Sequence, residues 1–201
     1  MSDIWFMSDP HYGHKNIVRG VSSWSGDKCL RNFDSIEQMN DTIVNNINNV
    51  VGENDELFCL GDWNFGGTEN IYNFRKRLNC KKIHLILGNH DNRHGYESNP
   101  QIKGTNLRAS DCFHIYSPYH VLKKRGLPLI VLFHFPIASW DKMADGSIHL
   151  FGHCHSSRED RFFNGGKSMD VGLDGNNFKP YNLTEILEIA SHLPVKHEGH
   201  H

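Results

Sequence analysis

Five short apolar stretches, at residues 4–8, 56–61, 82–88, 127–134 and 148–152, constrain this chain most, because each runs into residues with metal-seeking side chains. Continuous apolar runs of this length, ended by Gly, Asp or His, are the pattern of buried strands. The residues at or just beyond their ends are Asp9 with His11, Asp62, Asn89 with His90, His134, and His153 with His155. A side chain at the carboxyl end of a buried strand projects from a rigid support into the loop layer, where open α/β sheets hold their ligands. Clusters this far apart in sequence are therefore expected to converge in space.

The remaining pattern fills in the layers. Residues 113–117, 120–124 and 169–173 are further strand candidates, and Arg125-Gly126 is a turn signal that predicts a hairpin. Asp34, with Glu37 three residues on, is the expected cap of a helix whose apolar residues Ile36, Met39, Ile43, Ile47 and Val50 recur every three or four positions. Asn45, Asn46, Asn48 and Asn49 fit its polar face. A second helix is expected over 69–78, and a third from Asn182 or Thr184 to Leu193, where Pro194 stops it. Interleaved strands and helices with a late hairpin predict a layered α/β domain, two sheets face to face with helices outside. One domain over residues 1–194 is expected, followed by a polar, His-rich tail at 195–201. Residues 11–33, rich in Gly and Ser, form a long loop able to shape an entrance.

Composition narrows the partners. Positive and negative residues nearly cancel, at a net charge of −2, so no general basic field draws nucleic acid or anionic membrane. The five cysteines are odd in number, widely spaced and without a Cys-x-x-Cys pair, which predicts buried reduced thiols. The first residues lack the basic region and apolar length of a signal peptide, and no stretch reaches the ~18 apolar residues of a membrane helix. A soluble, cytoplasmic protein is the expectation.

In an extended chain, residues two apart point the same way, so Asp9 and His11, or His153 and His155, can grip one ion together. Glycine precedes the ligand in Gly61-Asp62, Gly88-Asn89 and Gly152-His153, where it permits close approach or a positive φ. Each feature alone has an ordinary alternative: a turn acid before Pro10, a strand-ending turn, or a core histidine at 134. Together they repeat one placement. Oxygen and imidazole donors without thiolate suit Mn, Fe, Zn, Co or Ni. The candidates exceed the four ligands of one structural zinc, and two ions ~3.5–4 Å apart, bridged by one carboxylate, would use them all.

The ordered set Asp9-x-His11, Gly61-Asp62, Gly88-Asn89-His90-Asp91, His134 and Gly152-His153-x-His155 resembles the signature of calcineurin-like metallophosphoesterases. More narrowly, Ser8-Asp9-Pro10-His11-Tyr12-Gly13-His14, His134-Phe135-Pro136-Ile137 and Asp174-Gly175-Asn176-Asn177 look like a small bacterial and phage branch of that family. The resemblance implies a four-layer α/β/β/α sandwich of two mixed sheets, with metals at strand C-terminal ends. It assigns Asp9, His11, Asp62 and His155 to a first metal and Asp62, Asn89, His134 and His153 to a second, with Asp62 as the bridge. His90 would stand beside the scissile phosphate and protonate the leaving oxygen or stabilise developing charge, tasks suited to a side chain titrating near pH 6.5. The expected cofactors are two divalent transition ions, Mn first, then Fe, Zn or Ni.

The chain departs from one common family pattern. Many relatives continue Gly-Asp-x-x-Asp, whose second acid orients the catalytic histidine, whereas here the run is Gly61-Asp62-Trp63-Asn64-Phe65. Asp91 either replaces that acid as a catalytic partner or caps a loop. His14, Lys15, Arg19, Arg93 and His94 either face phosphate or are solvated loop charges, Trp140 either stacks on a base or packs, and Lys123-Lys124-Arg125 is expected at an exposed hairpin tip. The leading functional expectation is a dinuclear phosphodiesterase for nucleotide or nucleic-acid-derived esters, working by metal-bridged hydroxide attack. Phosphomonoesterase and nucleotide pyrophosphohydrolase are the enzyme alternatives, and an interaction scaffold with a decayed metal site is the non-enzyme one. The expected partner is the phosphate ester, with no membrane and no strong double-stranded nucleic-acid binding; a homodimer stays open.

Overall fold

The computed structural model describes residues 2–20, 31–93, 95–156, 161–163 and 165–197; the middle of the expected long loop (with Cys29), His94 and the end of the polar tail lie outside the described residues. Within them the chain runs β1 (Ile4–Met7), α1 (Ile36–Val50), β2 (Glu56–Cys59), α2 (Glu69–Arg75), β3 (Lys82–Ile86), α3 (Asn89–Arg93), β4 (Ile115–Ser117), β5 (Tyr119–Leu122), β6 (Ile130–Phe133), β7 (Ile148–Phe151), β8 (Ser168–Asp170), β9 (Tyr181–Asn182) and α4 (Leu183–Ser191).

Two mixed sheets result. The first has the order β4-β3-β2-β1-β9, with β9 antiparallel to β1 and the other pairs parallel. The second has the order β5-β6-β7-β8, with only β5 antiparallel. Parallel pairing sends β1, β2 and β3 out at one edge of the first sheet, and β6 and β7 out at one edge of the second. The five clusters follow those five strands.

Alternation within strands builds the layers. Ile4 and Phe6 of β1 join Phe58, Ile86, Leu132 and Leu150 in the core between the sheets, which Ile186 and Ala190 of α4 help close. Met7, Leu57, Cys59, Ile83 and Leu85 face the other way, against Met39, Ile43 and Ile47 of α1 and Ile71 and Phe74 of α2. Strands buried on both faces need continuous apolar sequence, which is why these runs stand out. Beyond the second sheet the expected helical layer is thin among the described residues. There Trp140 and Met143 pack on Val131, with one 3-10 turn at Met143–Asp145.

Several boundaries differ from expectation for local reasons. Ser35 rather than Asp34 caps α1, its side chain accepting from Gln38 N at 3.1 Å, while Gln38 accepts from Asp34 N. α2 ends at Arg75, and α4 runs only to Ser191 from an Asn182 cap. Helix α3 was not foreseen, since Asn89-His90-Asp91-Asn92-Arg93 has no apolar period. The hairpin is present: β5 and β6 pair antiparallel, and Gly126 takes φ 83° between them. Cys59, Cys80 and Cys112 are buried free thiols, but Cys154 is exposed. No helix among the described residues is long and apolar enough to cross a membrane.

Candidate metal centre

The strands stop short of the expected bounds, and the ligand candidates sit in turns just beyond. Asp9, His11, Asp62, His153 and His155 all adopt positive φ, between 47° and 70°. Such backbone costs a non-glycine residue of order 1–3 kcal/mol and persists only where its surroundings hold it. The extended i, i+2 geometry expected for the two pairs is therefore not what brings them together. Left-handed turns do so, bringing Asp9 and His11 to one group and sending His153 and His155 to two neighbouring ones. The glycines before the ligands provide the room. A Cβ on Gly61, itself at φ 103°, would stand 2.6 Å from His134 Nδ1, and one on Gly152 would collide with Ser8 Oγ and Asp9 Oδ2.

The side chains meet in two neighbouring groups. In the first, His155 Nε2 lies 3.1 Å from His11 Nε2 and 3.4 Å from Asp9 Oδ1, and His11 Nε2 lies 3.5 Å from Asp9 Oδ1. In the second, Asn89 Oδ1 lies 2.8 Å from His134 Nε2 and 2.9 Å from His153 Nδ1. Asp62 stands between them, with Oδ2 3.5 Å from His11 Nε2 and Oδ1 3.7 Å from His134 Nε2. Atoms each ~2.0–2.2 Å from a common ion in tetrahedral or octahedral array are separated by about 3–3.6 Å. The two-sided placement of Asp62 is what a bridging carboxylate needs.

Three further observations fit cations here. Asp9 Oδ1 is buried without a hydrogen-bond partner, an expensive state for a carboxylate oxygen unless a cation faces it. His134 Nδ1 is 2.6 Å from Leu60 O, which requires the proton on Nδ1 and leaves the Nε2 lone pair toward Asn89. Electrostatics also favour the ligand forms of Asp9, His11 and His153, whereas at His155 burial is outweighed by Asp9 and Asp174 and the imidazole is raised. Burial works to raise Asp9, but the neighbouring His155, His11 and His134 outweigh it and hold Asp9 well below the usual carboxylate range. Burial drives His11 well below the usual imidazole value and lowers His153 too, so both favour the neutral ring a metal binds.

The family model for calcineurin-like phosphoesterases matches residues 2–179. The chain belongs to the calcineurin-like phosphoesterase family. An uncharacterized protein of Methanocaldococcus jannaschii is 29% identical over 194 residues, covering 94% of this chain and 92% of the relative. The Gene 66 protein of Mycobacterium phage L5 is 25% identical over 223 residues, covering both chains completely. Among solved structures, a protein of unknown function from Aquifex aeolicus shares the fold at a TM-score of 0.62 and 21% identity, over 94% of this chain and all of the other.

Against the family pattern, the region around His90 is distinctive. Phe65 occupies the position of the missing acid, and its ring packs on His90 with centroids 4.7 Å apart at 51°. Phe65 also stacks on His14, 3.5 Å between centroids and 7° between planes, so His14 belongs to this cluster rather than to solvent. The His90 backbone N–H donates to Asp62 Oδ1 at 2.8 Å, its Nε2 lies 3.8 Å from Asp62 Oδ2, and its ring also meets that of His11 edge-on at 5.4 Å. Asp91 has the contacts of a loop cap. Its carboxylate accepts from the backbone N–H groups of Asp62, Trp63 and Gly88 at 2.8, 3.0 and 2.9 Å, while burial pushes it up to about 7.

The other candidates separate clearly. Lys15 is exposed, and Arg19 is exposed with a surface pairing to Asp34 at 3.6 Å. Trp140 packs in the outer core of the second sheet, with its ring 5.3 Å from that of His149. Lys123, Lys124 and Arg125 form an exposed tip, where Lys124 bonds Glu56 at 3.1 Å. Three residues with no sequence-level assignment reach the centre: Ser8, donating to Leu60 O at 2.9 Å; Arg31; and Asp174, 2.9 Å from His155 Nδ1. The Asp174 motif was visible as family resemblance without a role. A lone loop arginine such as Arg31 carries no local signal at all.

Proposed function

We propose that this protein is a dinuclear metal-dependent phosphodiesterase acting on nucleotide or nucleic-acid-derived esters. The observation that carries the metal-dependent part is the convergence of seven donor residues in two groups with Asp62 between them. In this reading Asp9, His11, Asp62 and His155 would hold one ion and Asp62, Asn89, His134 and His153 the other, Mn being the first choice for oxygen and imidazole donors. Divalent ions in such a pair bring the pKa of bound water toward neutrality and neutralise phosphate oxygens. The chain's own part is positioning and proton delivery. His90, half-buried on Phe65 and Asp62 and outside both donor groups, supplies the proton to the leaving oxygen.

The nucleotide preference is supported by rings on the second sheet. Tyr119 pairs with Phe133 across β5 and β6, Phe133 lies 5.7 Å from Phe135, and Phe135 lies 4.8 Å from His153. Tyr119 is 42% exposed and Phe133 and Phe135 are half-buried, leaving aromatic surface beside the donors on which a base can stack. Cytoplasmic residence fits the four unpaired cysteines described.

Hydrolysis of an aryl phosphodiester and its matching monoester, by protein stripped of metal and reloaded with Mn, tests the reading. Faster turnover of the diester is expected. Preference for the monoester would replace the diesterase proposal, and no turnover of either with Mn or Ni would remove the enzyme proposal.

A further inference from the structure

Asp174 follows β8 in a 3-10 turn, Leu173–Asn176, and is 2% exposed. Arg31, 1% exposed, grips it with both ends of its guanidinium: Nε donates to Oδ1 at 2.8 Å and Nη2 to Oδ2 at 2.8 Å. The same Nη2 donates to the carbonyl of Asp9 at 2.6 Å, and Nη1 reaches the carbonyl of Pro10 at 3.4 Å. One arginine thus ties Asp174 to the left-handed turn that presents Asp9 and His11. On its other side, Asp174 Oδ2 lies 2.9 Å from His155 Nδ1.

The chemistry of these contacts dictates a tautomer. Arg31 cannot act as an acceptor, and a carboxylate held by two guanidinium N–H groups is ionised and acceptor-only. His155 must therefore donate from Nδ1, and the lone pair of its neutral ring is left on Nε2. That atom is the one 3.1 Å from His11 Nε2 and 3.4 Å from Asp9 Oδ1. His134 achieves the same through a backbone carbonyl, whereas His155 depends on a charged side chain that substitution can remove.

We infer that Asp174, fixed by Arg31, is a positioning residue that locks the His155 ring with Nε2 as the metal-ligand atom and so sets affinity at one of the two ion positions. The inference rests on the dinuclear reading for its second half only, since the tautomer is a property of the metal-free chain. Partners of metal-bound histidines typically contribute about 10- to 100-fold in affinity.

The test compares the unaltered protein with Asp174→Ala and with the double variant Arg31→Met, Asp174→Leu, which removes both members of the buried pair together. Imidazole nitrogen NMR on the stripped proteins, above the imidazole titration range, reports the tautomer; Mn titration by calorimetry reports the two affinities. The expected result is an Nδ1-protonated His155 that loses this bias in the folded double variant, with one Mn affinity falling about 10- to 100-fold and the other little changed. A His155 that keeps its Nδ1 proton in the double variant, or two affinities that fall equally, overturns the inference. Should the unaltered protein bind no pair of ions while the tautomer shift is present, the dinuclear reading fails and the Asp174 contact stands.

Discussion

His90 is held by neighbours unlike those of many relatives. Phe65, in the place of the acid of the Gly-Asp-x-x-Asp pattern, packs on its ring, and Asp62 Oδ2 lies 3.8 Å from its Nε2. Two substitutions separate chemistry from support. His90→Ala should retain both ions, measured by metal analysis, and lose turnover by about a hundredfold to ten-thousandfold. Unchanged turnover would remove His90 from the mechanism. Phe65→Ala should also retain metal but lower kcat by about tenfold, the cost of a catalytic group allowed to wander from its productive position. A loss of metal with Phe65→Ala would show that the ring supports the ligands instead. At this scale the donor types were readable from sequence because chemistry selects residue type directly. Asp91 was ambiguous because a cap and an orienting acid use the same side chain, and only its three backbone contacts distinguish them.

At the level of the element, what matters is how five strands end. The apolar runs made the strands legible, and the glycines marked where the backbone would turn. What the pattern could not show was that the pairs converge through positive-φ turns rather than along an extended chain, because φ at an Asp or His leaves no trace in composition. Helix α3 was hidden for a related reason: it is short and polar, and it is tied to the Asp62 turn by Asp91 and the His90 N–H rather than by an apolar period. Gly152→Ala tests the turns. A methyl there meets Ser8 and Asp9, so overpacking should cost about 1–3 kcal/mol in denaturant unfolding and reduce metal content by displacing Asp9. Normal stability with full metal content would show that the turn is more adaptable than its contacts imply.

For the whole molecule, two sheets with parallel centres place five loops at a common edge, so a dinuclear centre can be assembled from residues spread between positions 9 and 155. The layer order followed from strand and helix patterning, whereas the thin cover on the second sheet did not, since irregular segments have no period. That sheet carries a pH liability outside the donor groups. His149 is fully buried and burial lowers it to about 4, below the ordinary 6.5. An unfolded chain thus takes up the proton more readily than the folded one, and stability is present above about pH 6.5 and is lost progressively as pH falls toward 4. Asp9, His11 and His153 shift as well, so the comparison is with His149→Gln: in stripped protein its stability, followed by urea unfolding, should fall less over this window, by on the order of 1–3 kcal/mol. Parallel curves for the two proteins would dismiss His149 as the source. Whether the clusters form one two-ion centre bridged by Asp62 is decided by electron paramagnetic resonance of the stripped protein loaded with two equivalents of Mn. A centre of that kind gives the spectrum of an exchange-coupled pair, which Asp62→Asn weakens or abolishes. The uncoupled signal of isolated Mn in the unaltered protein would contradict it.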